Sequence, residues 1–292
     1  MWPLSLLRRP TVAPGSSVTL ARLARLAHLR EGWERVRRNR GGPGGDGVSI
    51  GRFAVALEAR LARLSRELLT DRYRPGPLRR VAIKKPDGGT RELAIPCVRD
   101  RVVQTALMLL LDRRFDAAMA GASFGYRAGR GVDGALARVE DSLRVGGGWV
   151  VDLDLAKFFD SVPHDALIAG LLAGGVEPRI GRLVRLWLDG FSATGRGLPQ
   201  GAPVSPILAN LYLDSLDRRL AQGDHRLVRY ADDLVLICPT QRAAGQALRR
   251  IRRALRRRGL AVNESKTRIV GPGGTLRFLG REIPIAPAPE GR

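Results

Sequence analysis

The sequence predicts an α+β fold in which antiparallel hairpins pack on helices. Three observations carry that expectation. Arg229–Leu236, RYADDLVL, sets two adjacent aspartates between apolar runs that favour strands, a hairpin with Asp232 and Asp233 at its tip. Arg80–Leu93 also reads strand, turn, strand: RRVAIK, then KPDGG, then TREL, with Pro86, Asp87, Gly88 and Gly89 supplying the turn. Elsewhere the apolar residues recur at helical spacing, most clearly at Leu208, Tyr212, Leu216 and Leu220.

Composition narrows the function classes. The chain has 292 residues, enough for one large core or two smaller domains, and its 44% apolar content is that of a globular protein. Lys and Arg number 50 against 28 Asp and Glu, a formal charge of +22. The excess runs along nearly the whole chain and indicates a polyanionic partner, nucleic acid first, or else a bias towards Arg codons. Cys97 and Cys238 are too few for a disulfide framework or a zinc site, which fits a reducing, cytoplasmic setting. No apolar run is long enough to span a membrane, and Met1–Leu7 is too short for a signal sequence.

Taken in order, residues 1–17 read as irregular. Leu20, Leu23, Leu26, Leu29, Trp33 and Val36 define an amphipathic helix with arginines outside. Asn39–Ile50 is a Gly/Pro loop, and a second helix runs from Ile50 to Leu69. In the first hairpin Lys84, Lys85 and Arg91 lie close together, suited to a triphosphate or to protecting an exposed sheet edge. A long helix follows over Val98–Met119. Ser123–Gly131, SFGYRAGRG, is a loop whose arginines and aromatics suit nucleic acid. Trp149–Leu155 is an apolar strand that ends in acid. Asp152 and Asp154, two apart, share one face of it. Pro163 starts another helix, and Arg182–Leu188 belongs to a further one. Gly197–Asp217 is a Gly/Pro loop leading into a helix, with Ser205 suited to the N-cap and Pro206 to the first helical position. Arg242–Arg258 forms a very basic helix with Leu248, Ile251 and Leu255 inward, stopped by Gly259.

The chemistry concentrates at the acidic turn. Adjacent residues on an extended chain face opposite ways, so Asp232 and Asp233 cannot both lie squarely over one site. A divalent ion needs a further carboxylate, and Asp154 is the candidate.

The blocks KPDGGTREL, VRDRVVQ, SFGYR, DLAKFFD, GLPQG, SPILANLYLD, RYADD, ESKT and FLG, in this order, resemble bacterial reverse transcriptases of the group II intron-like kind. The resemblance runs from about His28 to Ile283. It implies a right-hand polymerase with fingers and palm, the palm an antiparallel sheet packed on helices. It also implies RNA-directed DNA synthesis by two magnesium ions, with manganese as a substitute. The motif positions assign the metal to Asp154, Asp232 and Asp233, with Asp152 outside the ligand set. They assign the incoming triphosphate to Lys85 and Arg91, with Lys84 standing where the family has proline. Phe159 matches the bulky residue below the sugar that excludes a 2′ hydroxyl. Gln200 matches the residue that contacts nucleotide and template, and Ala231 the small residue beside the aspartates. Lys266 matches the lysine that protonates pyrophosphate, and Phe278, Leu279 and Gly280 match the primer-grip turn. The implied partners are an RNA template, a DNA primer and deoxynucleotides.

The resemblance divides the chain into a basic N-terminal extension (1–50), fingers (51–147), a palm (148–284, with a fingers contribution around 163–200) and a Pro-rich tail (285–292). The family continues past FLG into a thumb, and here the chain ends soon after, so the thumb is expected to be absent, truncated or supplied in trans by a protein partner. A retron-type VTG motif is absent, and Ser205-Pro206 stands where diversity-generating enzymes have SQ. A stand-alone enzyme is expected, serving a mobile element, antiviral defence or, with CRISPR adaptation proteins, spacer acquisition. The competing class is a non-catalytic RNA-binding relic, which predicts a damaged catalytic block; all the blocks are intact.

Overall fold

A computed structural model describes residues 17–84, 88–146 and 148–287. The chain runs α1 (Leu20–Leu23), α2 (Leu26–Arg38), α3 (Ile50–Ala54), α4 (Leu57–Leu69), β1 (Arg79–Lys84), β2 (Thr90–Ile95), α5 (Val98–Phe115) and α6 (Gly131–Arg144). It continues β3 (Trp149–Asp154), α7 (Phe158–Ser161), α8 (His164–Ala173), α9 (Pro178–Phe191), α10 (Ser205–Leu220), β4 (Arg226–Tyr230) and β5 (Asp233–Cys238). Last come α11 (Gln241–Arg256), β6 (Arg268–Val270), β7 (Thr275–Phe278) and β8 (Arg281–Pro284). The architecture is α+β with every strand pair antiparallel. No helix among the described residues is long and apolar enough to cross a membrane. Two compact units divide the chain: residues 1–118 with 162–211, and residues 119–161 with 212–292.

The first unit is built on α5, buried on nearly all sides. Gly32 of α2 lets the two helices approach closely, because a Cβ there would stand 2.5 Å from Val102 O. The helix expected from Leu20 to Val36 is two helices, for Arg25 is extended (φ −60°, ψ 133°). Leu23 and Leu29, on either side of the bend, are both fully buried. The helix expected from Ile50 to Leu69 is also broken, at Val55–Ala56, which brings Phe53 against Trp33 with ring centres 5.3 Å apart. The long helix ends at Phe115 and runs into a short 3-10 turn, Asp116–Ala118. Tyr73 donates to Asp100 at 2.5 Å, and Trp187 of α9 donates to the Tyr73 hydroxyl at 3.1 Å.

The second unit centres on the sheet β4-β5-β3-β6. Val150, Val228, Val235 and Ile237 form one core with Leu136 and Val139 of α6 and with Leu276, Phe278 and Ile283 of the β7–β8 hairpin. Helix α6 lies where the sequence showed only the end of a glycine-rich loop. Helix α11 packs on β3 and β5, and its buried side chains, Ile251 and Leu255 among them, are not part of that core. It therefore covers the other face, that of Val151, Leu153, Leu234 and Leu236. Side chains buried to this degree contribute roughly 1.5–3 kcal/mol each, so both faces hold the sheet firmly. The predicted stripe of Leu208, Tyr212, Leu216 and Leu220 is buried in α10. Ser205 is itself the first helical residue, and its hydroxyl donates to Pro199 O at 2.8 Å, holding the preceding loop.

Candidate active site

The acidic residues meet at one end of the second unit's sheet. Asp154 of β3 lies directly across from Asp233 of β5, and Asp152 is cross-strand from Val235. Cross-strand partners share a face, so Asp152, Asp154 and Asp233 point the same way. Asp232 occupies the two-residue turn between Tyr230 and Asp233. Burial first, then the neighbouring Asp232 and Asp154, push the Asp233 carboxyl up to about 7. Asp152 has its own partner, Arg268 of β6, at 3.0 Å. Its charge still bears on Asp233, the smallest of the neighbouring contributions.

Asp154 is held by a segment whose contribution was only half legible. Asn263 Nδ2 donates to Asp154 Oδ2 at 2.8 Å, and the Asn263 amide donates to Asp154 O at 2.8 Å. Lys266, three residues on, sets its ammonium 3.8 Å from Asp154 Oδ2. Lys266 was expected; Asn263 was missed, although it opens the same NESKT block. Among the described residues no three His, Cys, Asp or Glu side chains are gathered into a ready-made metal site.

The turn itself is clamped. Ala231 has φ +56°, a conformation that costs an L residue with a Cβ about 1–2 kcal/mol. Arg229, 1% exposed, grips Asp217 of α10 through Nε at 2.8 Å and Nη2 at 2.6 Å. The same guanidinium donates to Ser123 Oγ at 2.8 Å and to Ala231 O at 2.9 Å. Backbone bonds Phe124 N to Arg229 O and Arg229 N to Ala122 O, both 2.8 Å, add the SFGYR segment beside β4. Gly125 then passes so close that a Cβ would lie 2.5 Å from Ala231 N. The composition of that loop suits nucleic acid, but most of its side chains are engaged within the protein. Phe124 is core, Arg127 donates to the carbonyls of Ala120 and Ser123, and Arg130 donates to those of Gly121 and Ser123. Tyr126 alone of the loop's aromatics stays half exposed.

Phe158 and Phe159 follow Asp154 into α7, ring centres 5.5 Å apart and edge-on. Phe158 is buried in the core and Phe159 is partly exposed, so the second ring is the one available to a ligand. Phe278, buried, ends β7. Leu279 and Gly280 form the two-residue turn into β8 with φ +50° and +80°, the signature of a type I′ hairpin.

In the first unit the GLPQG loop is fixed to β2. Ala94 N donates to Gln200 O at 2.7 Å. Gly201, φ +107°, leaves room for the Ala94 carbonyl, 3.2 Å from where its Cβ would be. The fully buried His164 bonds through Nε2 to Gly197 O at 2.8 Å, anchoring the loop's start. Gln200 and Arg91 are thereby joined through one short strand. Arg91 pairs with Ile83 and Lys84 with Thr90, so the pleat puts Lys84 on the face opposite Arg91. Lys85 lies outside the described residues.

The family described as Reverse transcriptase (RNA-dependent DNA polymerase) matches residues 83–283. Protein YkfC of Escherichia coli strain K12 is 30% identical over 289 residues, covering 82% of this chain and 75% of YkfC. The group II intron-encoded protein LtrA of Lactococcus lactis subsp. cremoris is 27% identical over 208 residues, covering 68% of this chain and 34% of LtrA. Among solved structures, apo telomerase from Candida tropicalis, truncated from its C-terminal domain, aligns with a TM-score of 0.55 at 14% identity. It covers 72% of this chain and 53% of the telomerase chain, a likeness of fold. The chain thus spans three quarters of YkfC, but only about a third of LtrA and half of the telomerase chain.

Proposed function

The chain belongs to the reverse transcriptase family, and on that premise we propose that it extends a DNA primer on an RNA template with deoxynucleotides, by two-metal chemistry at the Asp154–Asp233 pair and Asp232. The observation that carries the reading is the placement of Asp154 directly across from Asp233, with Asp232 in the adjoining turn; burial first, and then these neighbours, raise the Asp233 carboxyl to about 7. Carboxylates that repel each other at one sheet end suit hard divalent cations, and the donor set is all oxygen, as magnesium or manganese prefers. Asp154, Asp232 and Asp233 would hold them. Bound there, the ions would activate the primer 3′ hydroxyl and offset the charge on the departing pyrophosphate.

The chain's own side chains do the rest. Asn263 orients Asp154 by its amide. Lys266 is the proton donor to pyrophosphate, its ammonium held at the site by Asp154. Phe159 presents a half-exposed ring under the sugar and excludes the 2′ hydroxyl; Phe159→Ala is expected to raise ribonucleotide incorporation. Arg91 takes the triphosphate, and Gln200, held to β2 by its backbone, meets nucleotide and template. The Leu279–Gly280 turn guides the primer. The protein partners that the resemblance suggests are CRISPR adaptation proteins, with co-purification as the check.

The test is extension of oligo(dT) on poly(rA) with dTTP and magnesium, beside Asp232→Asn. Extension by the wild type alone supports the reading. No extension by either, with RNA still bound, favours a non-catalytic RNA-binding role.

A further inference from the structure

The second unit carries a basic groove that the proposed chemistry does not use. It has a volume of about 350 Å³ and is walled by Arg219 at the end of α10, Arg250 and Arg253 of α11, Arg257 just past its end, and Gln222 and His225 of the connection to β4. Arg250, Arg253 and Arg257 fall at i, i+3 and i+7, one stripe of the helix continued through its C-cap. That helix covers the sheet face opposite the Asp152, Asp154 and Asp233 carboxylates, so the groove is separate from the acidic site.

Its arginines differ from their neighbours. Arg218 pairs with Asp214, Arg252 with Glu264 and Arg229 with Asp217, while Arg258 is tied to Ser215 and to Ala254 O. The four groove arginines are exposed, and their guanidinium groups make no ion pair or hydrogen bond among the described residues. His225 also lines the groove, and its Nε2 is buried without a hydrogen-bond partner there. Burial, with Arg250 nearby, keeps this imidazole from protonating readily; a backbone hydrogen bond and Asp224 oppose them. No Phe, Tyr or Trp lines the groove, so it lacks the ring platforms on which single-strand binders usually stack successive bases. Unpaired guanidiniums in a polar groove suit a row of phosphates, which their forked N–H groups contact two at a time.

We propose that this groove binds the phosphodiester backbone of RNA, without sequence preference, as a second nucleic-acid site away from the acidic turn. Only the choice of RNA as the nucleic acid rests on the reverse transcriptase reading. Single-stranded RNA carries one charge per nucleotide in a flexible chain that can follow the stripe. An acidic protein segment is the competing occupant.

The test measures binding of a labelled unstructured RNA of about 40 nucleotides by anisotropy, across a salt series, with the full chain. The variant Arg250→Glu/Arg253→Glu is compared with Arg242→Glu/Arg249→Glu, an equal charge change on the same helix outside the groove. Thermal melting checks that both fold. The groove variant is expected to weaken binding about tenfold or more and to flatten the salt slope by about 1–2 units, the control far less. The groove variant is also expected to keep extension on a short poly(rA)/oligo(dT) duplex. Equal losses in the two variants would reduce the groove to part of a general field and overturn the proposal. So would unchanged RNA binding accompanied by lost binding of polyglutamate, which would assign the groove to an acidic protein. Because binding is read directly, a wild type that extends no primer defeats the catalytic reading without touching this one.

Discussion

The two hairpins of this chain are opposites. β1–β2 is exposed along most of both strands and carries its cations outward. β4–β5 is buried along nearly its whole length, and its turn is gripped from several directions. The first is held mainly by its own ladder and the Ala94–Gln200 bond. The second is held by α6, α11, the SFGYR segment and a buried ion pair. The contrast teaches where this fold spends rigidity. Carboxylates that must stay close together despite repulsion need a fixed frame, whereas the cations proposed to meet a mobile triphosphate do not.

The largest effect that would break this contrast is expected at Arg229. Arg229→Met strands the Asp217 carboxylate, 0% exposed, in the core and should cost about 3–5 kcal/mol in chemical denaturation. Arg229→Met with Asp217→Leu should regain most of that stability but not kcat, because the bond to Ala231 O stays lost. Recovery of kcat with stability would make the pair a structural strut only. Gly125→Ala comes next. A Cβ 2.5 Å from Ala231 N forces the loop or the turn to move, with a loss of about 1–3 kcal/mol and a lower kcat at unchanged primer–template KM.

The third effect is one of pH. The Asp233 carboxyl, about 7 when folded against an ordinary 3.8, binds a proton that the unfolded chain has already released. Without divalent ions its contribution to stability is therefore lost as pH rises from about 4 to 7 and stays lost above. Magnesium competes with that proton, so it should raise Tm more at pH 8 than at pH 6 in the wild type, and equally little at both in Asp233→Asn. The smallest stability effect belongs to the other hairpin. Arg91→Ala should leave Tm within about 1 °C, since its side chain is exposed, while raising KM for the deoxynucleotide.

Much of this was legible in the sequence, for physical reasons. Leu208, Tyr212, Leu216 and Leu220 repeat every four residues because one side of α10 is buried, and the α11 stripe is read the same way. Asp232 and Asp233 announce a turn, and Asp152 and Asp154 a shared strand face, from local geometry alone. What stayed hidden depends on distant partners. Arg229 reads as one more arginine until Asp217 and Ser123 are brought to it. Arg127 and Arg130 read as nucleic-acid contacts because nothing local shows that carbonyls will claim them. Asn263 carried a faint signal, an Asx residue opening the block that contains Lys266, but its target on Asp154 is 109 residues away. The breaks at Arg25 and Val55–Ala56 leave the apolar periodicity intact, so periodicity could not reveal them.

The most direct test of the central claim replaces Asp154 of β3 and the two carboxylates at the β4–β5 turn in parallel. Asp154→Asn, Asp232→Asn and Asp233→Asn are each assayed for single-nucleotide addition to an oligo(dT) primer on poly(rA), with RNA binding read in the same samples. All three should lose about a thousandfold or more in rate while binding RNA within twofold of the wild type. Near-wild-type addition by any one of them would remove that residue from the metal site and contradict the account.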